Sequence, residues 1–538
     1  MPEPSQPTQH LIQKYQSWHQ SLQPKEGVSV IHVDEVASRV AAFYEKIRGV
    51  VDWREEHLIR KTAIEGNLKR RLFLRQNGEE IAAPLVLELI RGGHFPNDKI
   101  EESKISDVQK SIDKYIFILE NSPPPSIEKL KFQLYDWILG VAACEIEGIL
   151  DLPQKEIVLI EYMEDIMKEK IKLSSLIKIS EVEKDTQIYI AIQKSLFKFD
   201  PPLIYYNLLK REYPEWKNLP RPLLEEMAKN IYQIWENLEK AIFHPLAEKF
   251  YRICEKYDTL YLILSDIISD NPLESKKNLE NPEILESQIK SAYNKRLGTL
   301  KERLSRAALY STLSIFITKM LLALAVEIPF DKYVLPQLFL SLTGQFSYFA
   351  LGLNILIPPL LMFFMVLSIR PPKKENLQQV IMEVMKIVYK TERKDSYEIK
   401  PLPKRGFILN TIITIFYLLA FVVSFGIVIW GLNKLDFGIL SIIIFLIFIS
   451  LISFAGVKIR ERSKELQVME EKETVFTFFF DLFALPIIRV GKWLSAQWAR
   501  YNVLVVLINF LIDMPFQVFI EFLEQWRYFL KEKKEEIH

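Results

Sequence analysis

The sequence predicts an all-α fold: a polytopic α-helical membrane protein with a large N-terminal cytoplasmic helical domain and amphipathic C-terminal helices. Apolar residues recur at spacings of three and four over 9–300, as at Ile127, Leu130, Leu134 and Ile138. Four apolar runs within 307–457 each have roughly the 20 residues that a ~30 Å hydrocarbon core requires. Glycine supplies only 17 of 538 residues, which favours helices over tight turns.

Bulk composition excludes several classes of function. The net charge of +1 gives no electrostatic basis for a nucleic-acid partner. The mean hydropathy of +0.06 is an average over a charged half and an apolar half. The two cysteines, Cys144 and Cys254, lie in apolar helical sequence, so we expect buried, reduced thiols and no disulfide framework.

Clusters of proline and polar residues divide the N-terminal half into three segments. Residues 1–8 are polar and rich in proline, which predicts a disordered tail without a secretory signal. Residues 9–271 form the expected cytoplasmic helical domain, with a possible break into two subdomains near 200–222, where prolines cluster. Residues 272–306 are expected to form a linker and a basic helix.

The expected membrane-spanning segments follow in order. They are 307–328, 346–369, 407–430 and 438–457. The second contains Pro358 and Pro359, which remove two backbone donors and predict a kink or a split helix. Such a break either packs against a neighbouring helix or serves as a hinge or ion site.

The distribution of cations predicts the orientation. The segments before 307–328, between 346–369 and 407–430, and after 438–457 carry twenty Lys and Arg residues, whereas the two opposite loops carry only Lys332 and Lys434. This bias places both termini in the cytoplasm. The expected location is therefore a multi-pass protein of the cell membrane, which is the inner membrane if the source is bacterial.

Two further segments are amphipathic. A helix over 375–394 is expected either on the inner leaflet or against the N-terminal domain, and the sequence leaves both open. Within 458–538, the apolar run 475–488 contains Asp481 and is short for a span. Polar residues then recur at every fourth position, which predicts a polar stripe along one helix face: Asn509, Asp513, Gln517, Glu521 and Gln525.

The placement of these C-terminal residues has three possible outcomes. Two amphipathic helices at the inner interface fit best, because a polar stripe is costly against lipid tails. A pair of further spans and docking onto the cytoplasmic domain are the alternatives. The placement of 475–530 therefore stays open.

Lys319 lies inside the first apolar run and needs a partner or a hydrated cavity. Glu327 is two helical turns further along roughly the same face, and we expect it to be too distant for a direct bond. Asp481, or carbonyl groups freed at Pro358 and Pro359, are the alternative partners. The cluster would then serve either helix packing or an ion or proton pathway.

Signals for catalysis are weak. The sequence lacks a phosphate loop, a nucleophile elbow and paired-cysteine zinc spacing, and none of its seven histidines lies in an apolar run. His244 and Glu248 have helical metal spacing without a third ligand. We therefore expect no metal or cofactor.

The first hypothesis is a non-catalytic membrane scaffold or assembly factor that binds the lipid bilayer and either a protein partner or a second copy of itself. An oligomeric channel or transporter is the alternative, and a membrane lipid enzyme is the third.

Overall fold

The computed structural model of the chain describes residues 3–22, 27–33, 56–74, 80–124, 127–151, 154–330, 347–369, 372, 374–389, 396–401, 406–468, 475–501 and 514–537. These residues are mostly helical, with one pair of short strands. The chain divides into two compact units. The first unit comprises Met1–Glu280, Val388–Pro401 and Leu507–His538, and the second comprises Asn281–Ile387 and Leu402–Val506.

The described part of the first unit is built mainly from helices. Its elements are α1 (Gln6–Ser21), α2 (Glu56–Leu74), α3 (Ala82–Arg91), α4 (Ser103–Asn121), α5 (Glu128–Leu150), α6 (Gln154–Lys170), β1 (Ile171–Leu173), α7 (Glu181–Leu196), α8 (Pro201–Glu212), α9 (Arg221–Ile242), α10 (Ala247–Glu255), α11 (Asp258–Asp270) and α12 (Ser275–Glu280). The second unit contains α13 (Pro282–Leu322) with a π-helical turn (Ala323–Glu327), and α14 (Tyr348–Leu367). Next in the chain come α15 (Lys374–Tyr389), β2 (Tyr397–Ile399), α16 (Phe407–Lys434), α17 (Ile439–Ser463), α18 (Val475–Tyr501) and α19 (Met514–Ile537). Of these, β2 and α19 belong to the first unit, and α15 crosses the boundary between the units.

One apolar cluster of the first unit runs through α2–α5 and α7–α9. It includes the region 200–222, where the sequence suggested a break: Tyr205, Tyr206 and Trp216 are part of this same cluster. Asp200 caps α8 by accepting a hydrogen bond from the amide of Leu203 at 3.4 Å, so the prolines mark a helix start. Cys144 and Cys254 are buried and free, as the sequence predicted.

The N-terminus differs from the expected disordered tail. Helix α1 begins at Gln6, within the predicted tail 1–8. The side chain of Thr8 is buried, its hydroxyl lies 2.8 Å from the hydroxyl of Tyr162, and it donates to the carbonyl of Val388 at 3.3 Å. Satisfied buried hydrogen bonds fix the start of the chain, which the polar composition of 1–8 does not reveal.

A segment between the second and third apolar runs contributes to the first unit. Its strand β2 pairs in parallel with β1, with Ile171 opposite Tyr397 and Leu173 opposite Ile399. The hydroxyls of Tyr397 and Tyr257 lie 2.9 Å apart. The sequence predicted an amphipathic helix over 375–394, but helix α15 ends at Tyr389, and 390–395 lie outside the described residues.

Helix α15 has its apolar face covered by protein. Val380, Val384 and Val388 are fully buried by protein atoms. At its start, Asn376 donates to the hydroxyl of Tyr293 at 3.0 Å and to the carbonyl of Leu466 at 2.6 Å. Of the two placements left open by the sequence, this burial favours packing against protein over insertion into the inner leaflet.

The segment expected as a linker is helical. After the short helix α12, Asn281 caps α13 by accepting a hydrogen bond from the amide of Glu283 at 3.0 Å. Helix α13 has 41 residues, which corresponds to a length of about 62 Å. This is about twice the thickness of a hydrocarbon core, so α13 combines the predicted basic helix and the first apolar run in one element.

Four described helices are long and apolar enough to cross a membrane, by length and composition. They are Pro282–Glu327, Tyr348–Leu367, Phe407–Lys434 and Ile439–Ser463. Each overlaps one of the four apolar runs predicted from the sequence. In the first and third of these helices, only 11% of the most apolar 18-residue stretch is buried. The corresponding shares are 33% in the second helix and 39% in the fourth.

Helix α18 differs from the short interfacial element expected over 475–488. It is one helix of 27 residues that continues through Pro486 and packs along α17 and α16. The hydroxyl of Ser424 donates to the carbonyl of Phe483 at 2.9 Å, and the Arg489 guanidinium lies 4.8 Å from the ring centre of Tyr417. The side chain of Asp481 lies outside the described residues.

Helix α18 approaches α17 closely at Gly491. A methyl group on its Cα would overlap the carbonyl oxygen of Ser450 and lie 2.9 Å from Cβ of Phe454. Because a backbone carbonyl in a helix cannot move aside, glycine is the residue that permits this contact.

We predict that Gly491→Ala destabilises the protein by about 1–3 kcal/mol, the usual cost of overpacking. Thermal unfolding in detergent measures the change. Gly426→Ala in α16 is the matched control, because a methyl group there meets nothing within 4 Å and glycine-to-alanine favours the helix. Equal unfolding temperatures for the two variants would contradict the contact.

Candidate functional site

The second unit encloses an ion pair within its apolar helices. Lys319 in α13 and Glu327 at the end of the π-helical turn are both fully buried, and the Lys319 ammonium donates to Glu327 Oε1. The sequence singles out both residues, but their spacing of eight predicts that they are too distant for a direct bond. That expectation is wrong, and the reason is the backbone between them.

The π-helical turn brings the two side chains together. In a regular α-helix, residues eight apart are separated by about 12 Å along the axis and about 80° around it. Residues Ala323–Glu327 instead form hydrogen bonds to the fifth residue, so each residue there rotates and rises less. This turn moves Glu327 towards the face and the height of Lys319, within reach of two extended side chains.

Two further helices bind the same carboxylate. Glu327 Oε2 accepts a hydrogen bond from the side-chain amide of Asn354 in α14 and one from the Ser441 hydroxyl in α17, the latter at 3.2 Å. Asn354 is fully buried and Ser441 is 6% exposed. Phe448 of α17 presents its ring 5.3 Å from the Lys319 ammonium. We name Lys319, Glu327, Asn354 and Ser441 the Glu327 cluster; its members come from α13 with its π-helical turn, α14 and α17.

The two prolines lie one turn beyond Asn354. Since proline has no N–H, Pro358 and Pro359 leave the carbonyls of Asn354 and Ile355 without their helical donors. Both prolines are buried, and α14 continues through them as one helix. Among the described residues, the hydrogen-bond acceptor of Lys319 is Glu327, so Glu327 takes the role predicted for the freed carbonyls.

One acceptor of the cluster has no partner among the described residues. It is Oδ1 of Asn354, which is buried. Sequence reasoning missed Asn354 and Ser441, although Asn354 is a carboxamide within an apolar run four residues before Pro358. A polar residue at such a position signals a partner inside the bundle.

The predicted C-terminal polar stripe is only partly described. Asn509 and Asp513 lie outside the described residues, and so do the side chains of Gln517 and Glu521. Gln525 is exposed on α19. Leu507–His538 belong to the first unit, and the placement of 475–530 relative to a membrane stays a prediction.

The first unit has an open cleft of about 660 Å³ beside the end of α9. Its walls come from α7, α9 and the turn before α10: Glu183, Thr186, Gln187, Asn237, Glu239, Lys240, Ala241, Phe243, His244 and Pro245. Phe243 is 69% exposed, an unusual state for a phenylalanine.

His244 has a structural partner in this cleft. Its Nδ1 accepts the amide of Leu246 at 3.2 Å, and Nε2 lies 3.4 Å from Glu183 Oε1. Glu248, the second half of the weak metal spacing, accepts instead from Arg252 at 3.0 Å. Among the described residues, no group of three or more His, Cys, Asp or Glu side chains has a geometry that fits a metal ion.

A buried ion pair in the first unit is fully hydrogen-bonded. The Lys114 ammonium lies 2.7 and 2.8 Å from the carboxylate oxygens of Glu145 and donates to the carbonyl of Trp216 at 2.8 Å. The hydroxyl of Tyr115 donates to the same carboxylate at 2.7 Å. Burial lowers the pKa of Lys114, and the Glu145 carboxylate opposes that shift. This arrangement is typical of a core ion pair.

Comparisons of the chain with protein-family models, with curated proteins and with solved structures give no match.

We predict strong coupling between Lys319 and Glu327. Lys319→Met leaves the carboxylate buried without its counter-charge and is expected to destabilise the second unit by about 3–5 kcal/mol. The double variant Lys319→Met/Glu327→Gln removes both charges and is expected to regain most of that loss. Unfolding in detergent, compared across the four proteins of the cycle, measures the coupling; additive effects would contradict a direct ion pair.

Proposed function

We propose that this chain is a non-catalytic integral membrane protein whose second unit crosses the bilayer and whose first unit is a cytoplasmic scaffold that binds a protein partner. The observation that carries the membrane part is the exposed apolar surface of the second unit. Large apolar side chains of α16 are exposed on the protein surface, and each of the following is at least 63% exposed: Phe407, Ile408, Phe416 and Leu418.

Such a surface is unfavourable in water. Each square ångström of exposed apolar surface costs roughly 25 cal/mol, and soluble monomers rarely expose large contiguous apolar patches. Lipid tails cover a surface of this kind without cost. The most apolar stretches of α13 and α16 are little buried by protein, which supports a lipid environment on the outer faces of both helices.

The Glu327 cluster fits a structural role in that environment. In α13, Lys319 follows Arg306 by 13 residues, which is about 20 Å along the axis. With Arg306 at the cytoplasmic boundary, Lys319 lies past the midplane of a ~30 Å core and Glu327 lies near the opposite boundary. A paired charge that also hydrogen-bonds two other helices supports helix packing over an ion pathway.

The cleft beside α9 is the partner-binding surface of this proposal. Phe243 offers an exposed aromatic side chain beside polar groups, which is the composition of an interface anchor. Val182, which is 77% exposed, precedes the cleft residue Glu183 at the start of α7. An aromatic anchor in a mixed polar cleft suits a protein segment with one apolar side chain and flanking polar groups.

The orientation is testable by cysteine labelling in intact cells. The native thiols are buried, so a new cysteine reports its own position. We expect a membrane-impermeant maleimide to label Lys434→Cys from outside, and to label Lys464→Cys and Gln525→Cys only after permeabilisation. All three substituted residues are exposed. Labelling of Lys464→Cys in intact cells would contradict the orientation, and labelling of all three would contradict a membrane-spanning second unit.

The partner surface is testable by site-specific photocrosslinking. We expect benzoylphenylalanine at position 243 to give one reproducible crosslinked species in cells, and the same probe at position 132 to give none. Phe132 is the matched control because it is also a phenylalanine of the first unit that is 69% exposed. Phe243→Asp should abolish complex formation with the crosslinked protein. Equal crosslinking at positions 243 and 132 would show that this surface is not a specific partner site.

A further inference from the structure

A set of basic residues surrounds the point where α13 and α17 leave the apolar part of the second unit. We name these residues the basic collar: Lys301, Arg303 and Arg306 of α13, and Lys458, Arg460 and Arg462 of α17. All six are exposed. Within the same two stretches only Glu302 and Glu461 are acidic, so the collar has a clear excess of positive charge.

Both halves of the collar adjoin one apolar cluster of the second unit. Leu304 and Ala308 of α13 pack against an apolar cluster that contains Ile459 of α17. Leu304 lies between Arg303 and Arg306 in the sequence, and Ile459 lies between Lys458 and Arg460. The apolar contact therefore holds cations from two distant parts of the chain at one level.

Two cations of the collar form exposed ion pairs with neighbours on their own helices. Arg306 lies 3.5 Å from Glu302 and Lys458 lies 3.2 Å from Glu461, but the side chains of both pairs are more than half exposed. Exposed pairs of this kind contribute little. Among the described residues, Arg303 and Arg460 have no ion-pair partner.

The collar also lies at a defined depth. The first apolar run begins directly after Arg306, and the fourth ends directly before Lys458. In the membrane placement proposed above, on which this step rests, both halves lie at the level of the cytoplasmic headgroups. A guanidinium group binds phosphate oxygens in bidentate geometry, and basic residues at this depth attract acidic lipids.

We infer that the basic collar is a binding site for the phosphate headgroup of an acidic phospholipid in the cytoplasmic leaflet. The α13–α17 contact pre-positions its cations, so binding does not have to order two separate helices. The chemistry is recognition of a phosphate diester with net negative charge. A neutral headgroup such as phosphatidylcholine offers the same phosphate but carries its own cation and is disfavoured.

The test uses the full chain in nanodiscs of phosphatidylcholine with or without phosphatidylglycerol. Native mass spectrometry measures the lipids that stay bound after release from the disc. We expect the acidic lipid to be enriched by about fivefold or more over phosphatidylcholine. The double variant Arg303→Gln/Arg460→Gln should lose that enrichment.

The control removes the same charge elsewhere. Lys276→Gln/Lys277→Gln changes two exposed cations of α12 in the first unit and should keep the enrichment. If the control loses it equally, net charge alone explains the binding and the site is overturned. Unchanged enrichment in the collar variant also overturns it.

Two further measurements separate the possible failures. Inorganic phosphate added in excess should not displace the lipid; displacement would identify the collar as a site for soluble phosphate and overturn the lipid assignment. If the collar variant unfolds, the fall of lipid enrichment in the wild type with rising salt tests the same electrostatic contact. A chain that enters nanodiscs but shows no headgroup preference overturns only this inference, whereas a chain that remains in the aqueous phase overturns the proposed function.

Discussion

The buried charge of Lys319 is the constraint on which the second unit depends. An ammonium group among apolar helices is costly unless it has a partner, and here the carboxylate of Glu327 supplies one. That carboxylate in turn binds Asn354 and Ser441, so the need to neutralise one residue fixes the positions of three helices. A π-helical turn, which is less favourable than a regular turn, is retained because it completes the pair.

A segment between two apolar helices completes the first unit. The segment Val388–Pro401 supplies strand β2 to the parallel pair with β1. The carbonyl of Val388 also accepts the amide of Ser5 at 2.8 Å, next to the start of α1. The first unit is therefore assembled from the N-terminal region and from a segment almost 400 residues later, so its stability depends on residues that lie between the second and third apolar runs of the sequence.

Much of the architecture was predictable because it depends on local sequence. The helical spacing of apolar residues and the length of the apolar runs are local properties, and all four candidate spans lie where the sequence placed them. The burial of Cys144 and Cys254 followed from the same periodicity. Lys319 was recognisable as a residue in need of a partner because a single cation interrupts an apolar run.

The errors have a common physical origin in contacts between residues distant in sequence. A polar stretch such as 1–8 looks disordered until Thr8 meets Tyr162, and a short apolar run such as 475–488 looks interfacial until Gly491 allows α18 to lie against α17. The sequence by itself determined the helices, the candidate spans and the excess of cations in alternate connecting segments, because periodicity, length and charge are read along the chain. Only the tertiary structure decided that Glu327, Asn354 and Ser441 share one site and that two basic stretches form one collar, because packing brings together residues that no local pattern relates.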